Sequence, residues 1–434
     1  MEKAENETIS DTQRNWHVSG LVLVDPLIST LRFIMENSVS RYNRSVTASR
    51  WYAKDTSIPA FCGTFYYKDL KKVMVPPDKL KQKKPFSEVR FGEDFSDHMF
   101  EVEWTSRDGW GKPKICPFHD LVLHPASKVL HYACQIFEGL KAFRGIDGKI
   151  RLFRPRLNIQ RMLQSAQRCS MPNFDAEEFL KCLVEFVRTE KDWIPEDPSG
   201  SFYIRPTMIA TEPTVGISIP NSSLLYIIAG PVGSYWGSGN SKLNPVALYA
   251  DPSAVRAWYG GAGNVKMGSN YAPTLFHLAA AHKHGCSQNL WLFGHEEIIT
   301  EVGAMNLFVY WINEKGNKEL ITAPLDGLIL PGVTRQTIIE LAKEWNEFSV
   351  VEEHYTMPQL LRALEENRVI EIFGSGTAVI VSPIDKIIYR KGDTCTVHEI
   401  PTMKNAELSQ RCFKSITDIQ TGASERPDWT LLIA

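Results

Sequence analysis

The chain has 434 residues, a length that accommodates two or three domains at about 150 residues each. Apolar residues make up 43% and charged residues 23%, and 48 Lys plus Arg against 50 Asp plus Glu give a net charge of −2. This composition excludes intrinsic disorder, a collagen-like repeat and a small disulfide scaffold. It also lacks the basic excess of a nucleic-acid binder, and no apolar run approaches the roughly 18 residues of a membrane span, so neither partner is expected.

In chain order, the first eleven residues carry Glu2, Glu5, Glu7 and Asp11 against Lys3, whereas secretory and mitochondrial leaders avoid acids there. Residues 12–54 then turn basic and rich in Ser and Thr. Residues 1–65 are expected to be a variable, partly disordered extension on a cytoplasmic protein; a mitochondrial location is the alternative if 1–60 act as a transit peptide. Residues 68–85, Lys-rich and containing Pro76-Pro77, read as an exposed connector. Residues 99–104 alternate with period two, as a half-buried strand does, and Gly109-Trp110-Gly111 follow as a turn. A strand over 151–153 precedes Pro155, which opens a helix over 156–169 that presents Arg161 and Arg168 one heptad apart. A strand over 201–209 puts Tyr203, Arg205 and Thr207 on one face. The apolar strand 224–229 ends in a Gly/Ser-rich stretch, 230–239, the best domain boundary in the chain. Beyond it, strands near 246–250, 289–293, 298–302 and 306–312 alternate with helices near 271–284, 334–346 and 357–366. The fold class is α/β with α+β character: a smaller domain over 66–232, a connecting loop over 233–245 and a larger domain over 246–434.

The eight cysteines show neither C-x-x-C nor zinc-ligand spacing, so no metal is expected and they read as free thiols. Walker, dinucleotide-binding, G-x-S-x-G and H-E-x-x-H signatures are all absent. What stands out is Lys266 in the glycine-dense run from Tyr259 to Tyr271, just before a helix. Glycines let a backbone approach a ligand closely, and lysine forms imines with carbonyl groups; the plainer reading is a solvated surface lysine. Leu330-Pro331-Gly332-Val333-Thr334-Arg335 leads into a helix whose first amides, with the Thr334 hydroxyl, make a ready anion site. Gly374-Ser375-Gly376-Thr377 reads as a second small-residue turn able to bind an anion. Either turn alone is equally a simple chain reversal. A lysine with two anion turns and no Walker motif points to a phosphorylated carbonyl cofactor, of which pyridoxal 5′-phosphate is the obvious member. Glu301, an acid among apolar neighbours at a strand end, needs a partner: a pyridine nitrogen or a structural salt bridge.

These motifs resemble those of the branched-chain-amino-acid aminotransferases, closest to the animal cytosolic and mitochondrial enzymes. The resemblance is carried by the run from Tyr132 to Gly145, which includes Phe137-Glu138-Gly139-Leu140-Lys141-Ala142-Phe143. It continues through Leu152-Phe153-Arg154-Pro155, Tyr203-Ile204-Arg205-Pro206-Thr207, Val265-Lys266-Met267-Gly268, Thr300-Glu301-Val302-Gly303 and the 330–335 motif, in the family's order. It covers roughly residues 90–434 and implies a homodimeric, two-domain type IV pyridoxal-phosphate fold with the cofactor at the domain interface. It also implies reversible amino transfer from leucine, isoleucine or valine to 2-oxoglutarate. By the same resemblance Lys266 is the catalytic residue, holding the cofactor as an imine and moving the proton between Cα and C4′. Glu301 pairs with the pyridine nitrogen and Tyr271 bonds the phenolic oxygen. Arg161, Val333, Thr334 and Thr377 hold the phosphate, with Arg256 a supporting charge. Phe137, Tyr203 and Tyr235 line the side-chain pocket, and the other subunit contributes Tyr132, Val215 and Ile217. Arg205 receives the distal carboxylate of glutamate or 2-oxoglutarate, and the backbone of Gly376, Thr377 and Ala378 takes the α-carboxylate.

Two departures matter. Close animal relatives carry a C-x-x-C redox pair where this chain has Val379 and Ser382, so no thiol–disulfide switch is expected there. The residue after Gly303, often a threonine that contacts the substrate carboxylate, is Ala304, which should cost about 1 kcal/mol of binding. Class IV lyases and D-amino-acid transaminases share the implied fold and cofactor, and a catalytically silent dimeric scaffold is the non-enzymatic alternative.

Overall fold

The computed structural model describes residues 63–233 and 243–433, and Tyr235 lies outside them. Two sheets carry the fold. The first is built from β1 (Lys71–Lys72), β2 (His98–Thr105), β3 (Gly109–Trp110), β4 (Lys114–Pro117), β5 (Gln135–Phe137), β6 (Leu140–Arg144), β7 (Ile150–Phe153), β8 (Ser201–Ala210) and β9 (Ser222–Val232). The second contains β10 (Val246–Ala250), β11 (Gln288–Phe293), β12 (Ile298–Val302), β13 (Met305–Ile312), β14 (Lys318–Thr322), β15 (Ser349–Glu352), β16 (Val369–Gly376), β17 (Ile380–Lys391) and β18 (Thr394–Glu399). The C-terminal strand β19 (Thr430–Leu432) returns to pair with β7 of the first sheet. Pairing is mostly antiparallel, with parallel contacts at β1–β4, β10–β11, β10–β17 and β14–β15.

The spine of the first sheet is β8–β9, in register from Ser201 opposite Val232 to Ala210 opposite Ser223. β9 therefore runs through Gly230-Pro231, where the sequence reading ends the strand. Gly230 is required there, because a Cβ would stand 1.9 Å from the Asp94 carbonyl oxygen. Two helices cover the sheet. Helix Pro155–Arg168 starts with proline at its first position, where the missing N–H costs nothing. Helix Ala176–Thr189 is capped by Asp175, whose carboxylate accepts from the Glu177 and Glu178 amides, and it buries Phe179, Leu183 and Phe186.

In the second sheet, helix Met357–Glu365 opens with a capping box between Thr356 and Gln359 and packs Met357, Leu360 and Ala363 onto one face. Helices Val333–Trp345 and Glu407–Thr421 belong to another core cluster, which also contains Phe308 and Phe373 of the second sheet and Phe143 and Phe153 of the first. The two sheets thus share apolar contacts next to the start of helix Val333–Trp345.

Two expected turns are strands. Gly109–Trp110 pairs with β2, and Gly374, Ser375 and Gly376 pair with Ser382, Val381 and Ile380 inside the β16–β17 ladder. Glycine serves as a strand residue at Gly374 because Met305 and Val302 approach within 3.0–3.1 Å of where a Cβ would be. The turn itself is one step later, at 377–379. The described cysteines are free thiols. Sequence spacing offers no metal set, yet β2 and β4 bring ligand atoms of Glu101, Cys116 and His119 within 4.8 Å of one another. The Lys114 ammonium already supplies a cation there, 2.6 Å from the Glu101 carboxylate.

Candidate active site

Lys266 is held by its backbone before its side chain does anything. Its N–H donates to the Ser165 hydroxyl at 2.9 Å, and its carbonyl accepts from the Phe137 N–H at 3.1 Å. Met267 forms an isolated bridge with Ile136, and Asn270 donates to the carbonyls of Ala262 and Val265. The glycine-dense segment is therefore clamped onto β5 and helix Pro155–Arg168. The side chain runs into the interior, with Nζ 3.0 Å from the Tyr271 hydroxyl and 4.5 Å from the Phe137 ring centre.

Burial, with the nearby Arg161 and Arg205 charges, lowers the Lys266 pKa to about 7. A lysine at that value carries a large neutral fraction near neutral pH, which is the nucleophilic and basic form. Burial likewise pushes the Tyr271 hydroxyl up to about 12, so it stays protonated and can donate.

Glu301 is 2% exposed at the end of β12. It pairs with Arg256 at 2.6 Å and accepts from the Leu330 N–H at 3.0 Å and from the Asn306 amide at 3.1 Å. Burial raises its pKa, while Arg256 and the Leu330 N–H oppose that. The salt bridge weighed from sequence is supplied by Arg256.

The segment after Leu330 links this acid to the anion site. The Pro331 carbonyl accepts from Arg161 at 3.1 Å, and Gly332 starts helix Val333–Trp345 with no side-chain cap. The first amides of that helix are thus open to an anion at its positive end. Gly332 is needed for this approach, since a Cβ would lie 2.0 Å from the Asn306 amide oxygen. Arg161 also forks onto Glu138 at 2.7 and 2.8 Å, which uses part of its five-donor guanidinium. A cavity beside the helix start is lined by Val333, Thr334, Thr377, Lys141, Asn158 and Gln420, among others.

Residues 135–387 match the family described as Amino-transferase class IV. The cytosolic branched-chain-amino-acid aminotransferase of Rattus norvegicus is 53% identical over 369 residues, covering 85% of this chain and 88% of that protein. The chain belongs to the class IV aminotransferases. The mitochondrial branched-chain-amino-acid aminotransferase of Rattus norvegicus is 48% identical over 379 residues, covering 87% of this chain and 94% of that protein. The crystal structure of the branched-chain aminotransferase of Thermoproteus uzoniensis with norvaline superposes with a TM-score of 0.60 at 22% identity. It covers 77% of this chain and 99% of that one, a likeness of fold.

In this class IV aminotransferase two of the aromatic residues named from sequence, Phe137 and Tyr271, pack against the lysine amine, and Tyr203 is joined to Phe137 through Arg205. The Phe137 and Tyr271 rings lie 4.9 Å apart, and the Arg205 guanidinium lies 4.8 Å from Phe137 and 5.2 Å from Tyr203. Arg205 donates to the Tyr203 hydroxyl at 2.8 Å. Tyr132, Val215 and Ile217 are exposed and lie apart from this group: the Tyr132 hydroxyl donates to the Val215 carbonyl, and no hydrogen bond or ring contact joins them to Lys266 among the described residues. Tyr235 is outside those residues.

Three residues were not singled out from sequence. Phe91 stands edge-on to Tyr203 at 4.9 Å. Glu138, 1% exposed, is the acid beneath Lys266 and Arg161: burial works against its charge, but Arg161 outweighs that and holds it below the usual carboxylate range. Lys141 reaches across to the Ala378 carbonyl at 2.9 Å. The available signal for the last two was a charged residue among apolar neighbours, Glu138 in the link between β5 and β6 and Lys141 within β6.

Proposed function

We propose that this chain is a homodimeric branched-chain-amino-acid transaminase that uses pyridoxal 5′-phosphate and 2-oxoglutarate. The observation that carries the reading is the enclosed Lys266 amine, held against Tyr271 and Phe137, with the Arg205 guanidinium close to the Phe137 and Tyr203 rings. The residues present fit the cofactor. The open amides of Val333 and Thr334, with Arg161 and Thr377, would hold its phosphate; Glu301 would face its ring nitrogen, Tyr271 its phenolic oxygen, and Lys266 would attach it covalently. When bound, pyridoxal phosphate supplies a protonated ring that accepts the electron pair left at Cα.

The chain's own residues supply the rest. Lys266 Nζ, with its lowered pKa, can take the Cα proton and give it back, and Tyr271 at 3.0 Å orients that amine. Burial raises the Glu301 pKa, and the paired Arg256 guanidinium opposes that shift in favour of the ionised form. Phe137 and Tyr203 offer an apolar wall to a branched side chain. Arg205, already balanced on that wall, can turn to a distal carboxylate without leaving an unpaired charge when leucine is bound. The exposed Tyr132, Val215 and Ile217 would complete the pocket of the other subunit. The names of the relatives, cytosolic and mitochondrial branched-chain-amino-acid aminotransferases, support this substrate class, and a cytoplasmic location belongs to the same proposal. So does a division into domains near 66–232 and 246–434, with β19 joined to the first.

The test is steady-state assay of the purified holoenzyme with L-leucine and 2-oxoglutarate. Parallel double-reciprocal lines and stoichiometric glutamate are expected. Activity confined to D-amino acids, or lyase activity without amino transfer, would assign the fold to another class IV reaction. A protein that binds no cofactor would be the silent scaffold.

A further inference from the structure

Strands β2 and β4 pair antiparallel with Glu101 opposite Lys114, and Cys116 follows two residues along β4 on the same face. His119 stands just past the end of β4. The Glu101 Oε1 atom is their meeting point. The Lys114 ammonium lies 2.6 Å from it, the Cys116 thiol donates to it at 3.5 Å, and His119 Nε2 is 3.3 Å away. Glu101 is 5% exposed and Cys116 7%, whereas the side chains of Lys114 and His119 are roughly half exposed. Solvent therefore reaches the group past those two.

The spacing is that of a coordination shell. A tetrahedral ion with bonds of about 2.0–2.3 Å holds its ligand atoms roughly 3.3–3.7 Å apart. Here the carboxylate oxygen stands 3.3 Å from the imidazole nitrogen and 3.5 Å from the sulfur, and the three ligand atoms all lie within 4.8 Å of one another. The imidazole is also oriented from outside the group. His119 Nδ1 lies 2.9 Å from the Asp120 carbonyl oxygen, which can only accept, so Nδ1 carries a hydrogen and Nε2 is the nitrogen turned to Glu101. Metal-bound histidines are fixed by the same kind of outer bond. Charge favours an ion as well. Burial, with the Glu101 carboxylate beside it, pushes the Cys116 thiol up to about 11, so the sulfur keeps its proton until a metal takes its place. A divalent cation with one carboxylate, one thiolate and one neutral imidazole makes a set with no net charge. A displaced Lys114 ammonium still has Glu103 of β2 within electrostatic reach.

We propose that Glu101, Cys116 and His119 form a zinc site, with Lys114 as the cation that zinc displaces and the fourth position left to water. Binding forms a zinc–sulfur bond and breaks the Cys116 S–H bond, and the proton passes to solvent. Thiolate and imidazole select zinc over magnesium and calcium, which take oxygen ligands. The ion ties β2 to the segment after β4, whatever reaction Lys266 performs.

The experiment is zinc titration of the purified holoenzyme, kept reduced and stripped of metal, against a chromophoric chelator. It is repeated with Co²⁺ and read as a difference spectrum between wild type and Cys116→Ser. Wild type should hold one tight equivalent of zinc, and cobalt should give a thiolate-to-metal charge-transfer band that Cys116→Ser abolishes. Cys116→Ser and His119→Gln should each weaken zinc by at least about tenfold, since loss of an outer partner alone costs that much. Lys114→Met should tighten it, because the ammonium competes for the same carboxylate oxygen. Zinc held equally by all three variants would place the ion on other groups and overturn the proposal. So would weaker zinc in Lys114→Met, or a wild type with no tight equivalent. If Cys116→Ser does not fold, His119→Gln, changed at a side chain 46% exposed, carries the comparison.

Discussion

Replacing Arg205 by methionine separates the two substrates that one pocket must accept. In the structure the guanidinium lies 4.8 Å from the Phe137 ring centre and 5.2 Å from that of Tyr203, bonds the Tyr203 hydroxyl at 2.8 Å, and leaves a buried Nε without a partner. A distal carboxylate would find that unused donor. Hydrogen bonds to a charged group contribute about 1.5–3 kcal/mol, so Arg205→Met should lower kcat/KM for glutamate and 2-oxoglutarate roughly 10- to 150-fold. Leucine loses no ion pair, and removal of an unsatisfied buried donor offsets the lost contact with the rings, so its half-reaction should change little. The assay is the two half-reactions measured separately in a stopped-flow instrument, following the cofactor's visible band. Equal losses for leucine and glutamate would refute the assignment of Arg205 as the selective group.

Three further perturbations follow from the same geometry. Glu301→Gln leaves the Arg256 side chain, 5% exposed, against a neutral amide; breaking a buried pair costs about 3–5 kcal/mol, so both urea midpoint and kcat should fall, and a retained midpoint would contradict the pairing. In the cofactor-free protein, Lys266 should react with a limiting amine reagent half-maximally near pH 7, read by peptide mass spectrometry; because its folded pKa is depressed below the ordinary 10.5, this group's contribution to stability is full above pH 10.5 and is lost as pH falls through about 7. Glu371, 1% exposed, accepts from the Leu408 and Ser409 amides at 2.8 and 2.9 Å and so serves as the remote cap of helix Glu407–Thr421, whose own N-cap Ala406 offers no side-chain bond. Glu371→Ala should destabilise the protein by about 1–3 kcal/mol in urea titration, and an unchanged midpoint would deny that role.

Local patterns made much of this readable in advance. Period-two alternation located β2, and proline at the first helical position located helix Pro155–Arg168. The Pro-Gly step before Val333 marked an open helix start, and the spacing of Lys266 and Tyr271 put both on one short segment. What local pattern does not carry is partnership across the chain. Glu301 is met by Arg256 from a different segment, and a lone acid at a strand end reads the same whichever cation meets it. Gly374 to Gly376 read as a turn because glycine favours turns, whereas close approach of Met305 makes glycine a strand residue there. Helix Ala176–Thr189 did carry a local signal, Asp175 followed by Glu177 and Glu178, and went unassigned. Phe91 carried none, since a single aromatic in an irregular segment says nothing about facing Tyr203.

The central claim, that Lys266 and Arg205 serve one transaminase pocket of dual specificity, is tested most directly by single-turnover spectroscopy of the purified holoenzyme. L-leucine alone should convert the visible band to the amine form of the cofactor, and subsequent 2-oxoglutarate should restore it with release of glutamate. A band that ignores leucine, or that leucine converts but 2-oxoglutarate cannot restore, would contradict the account.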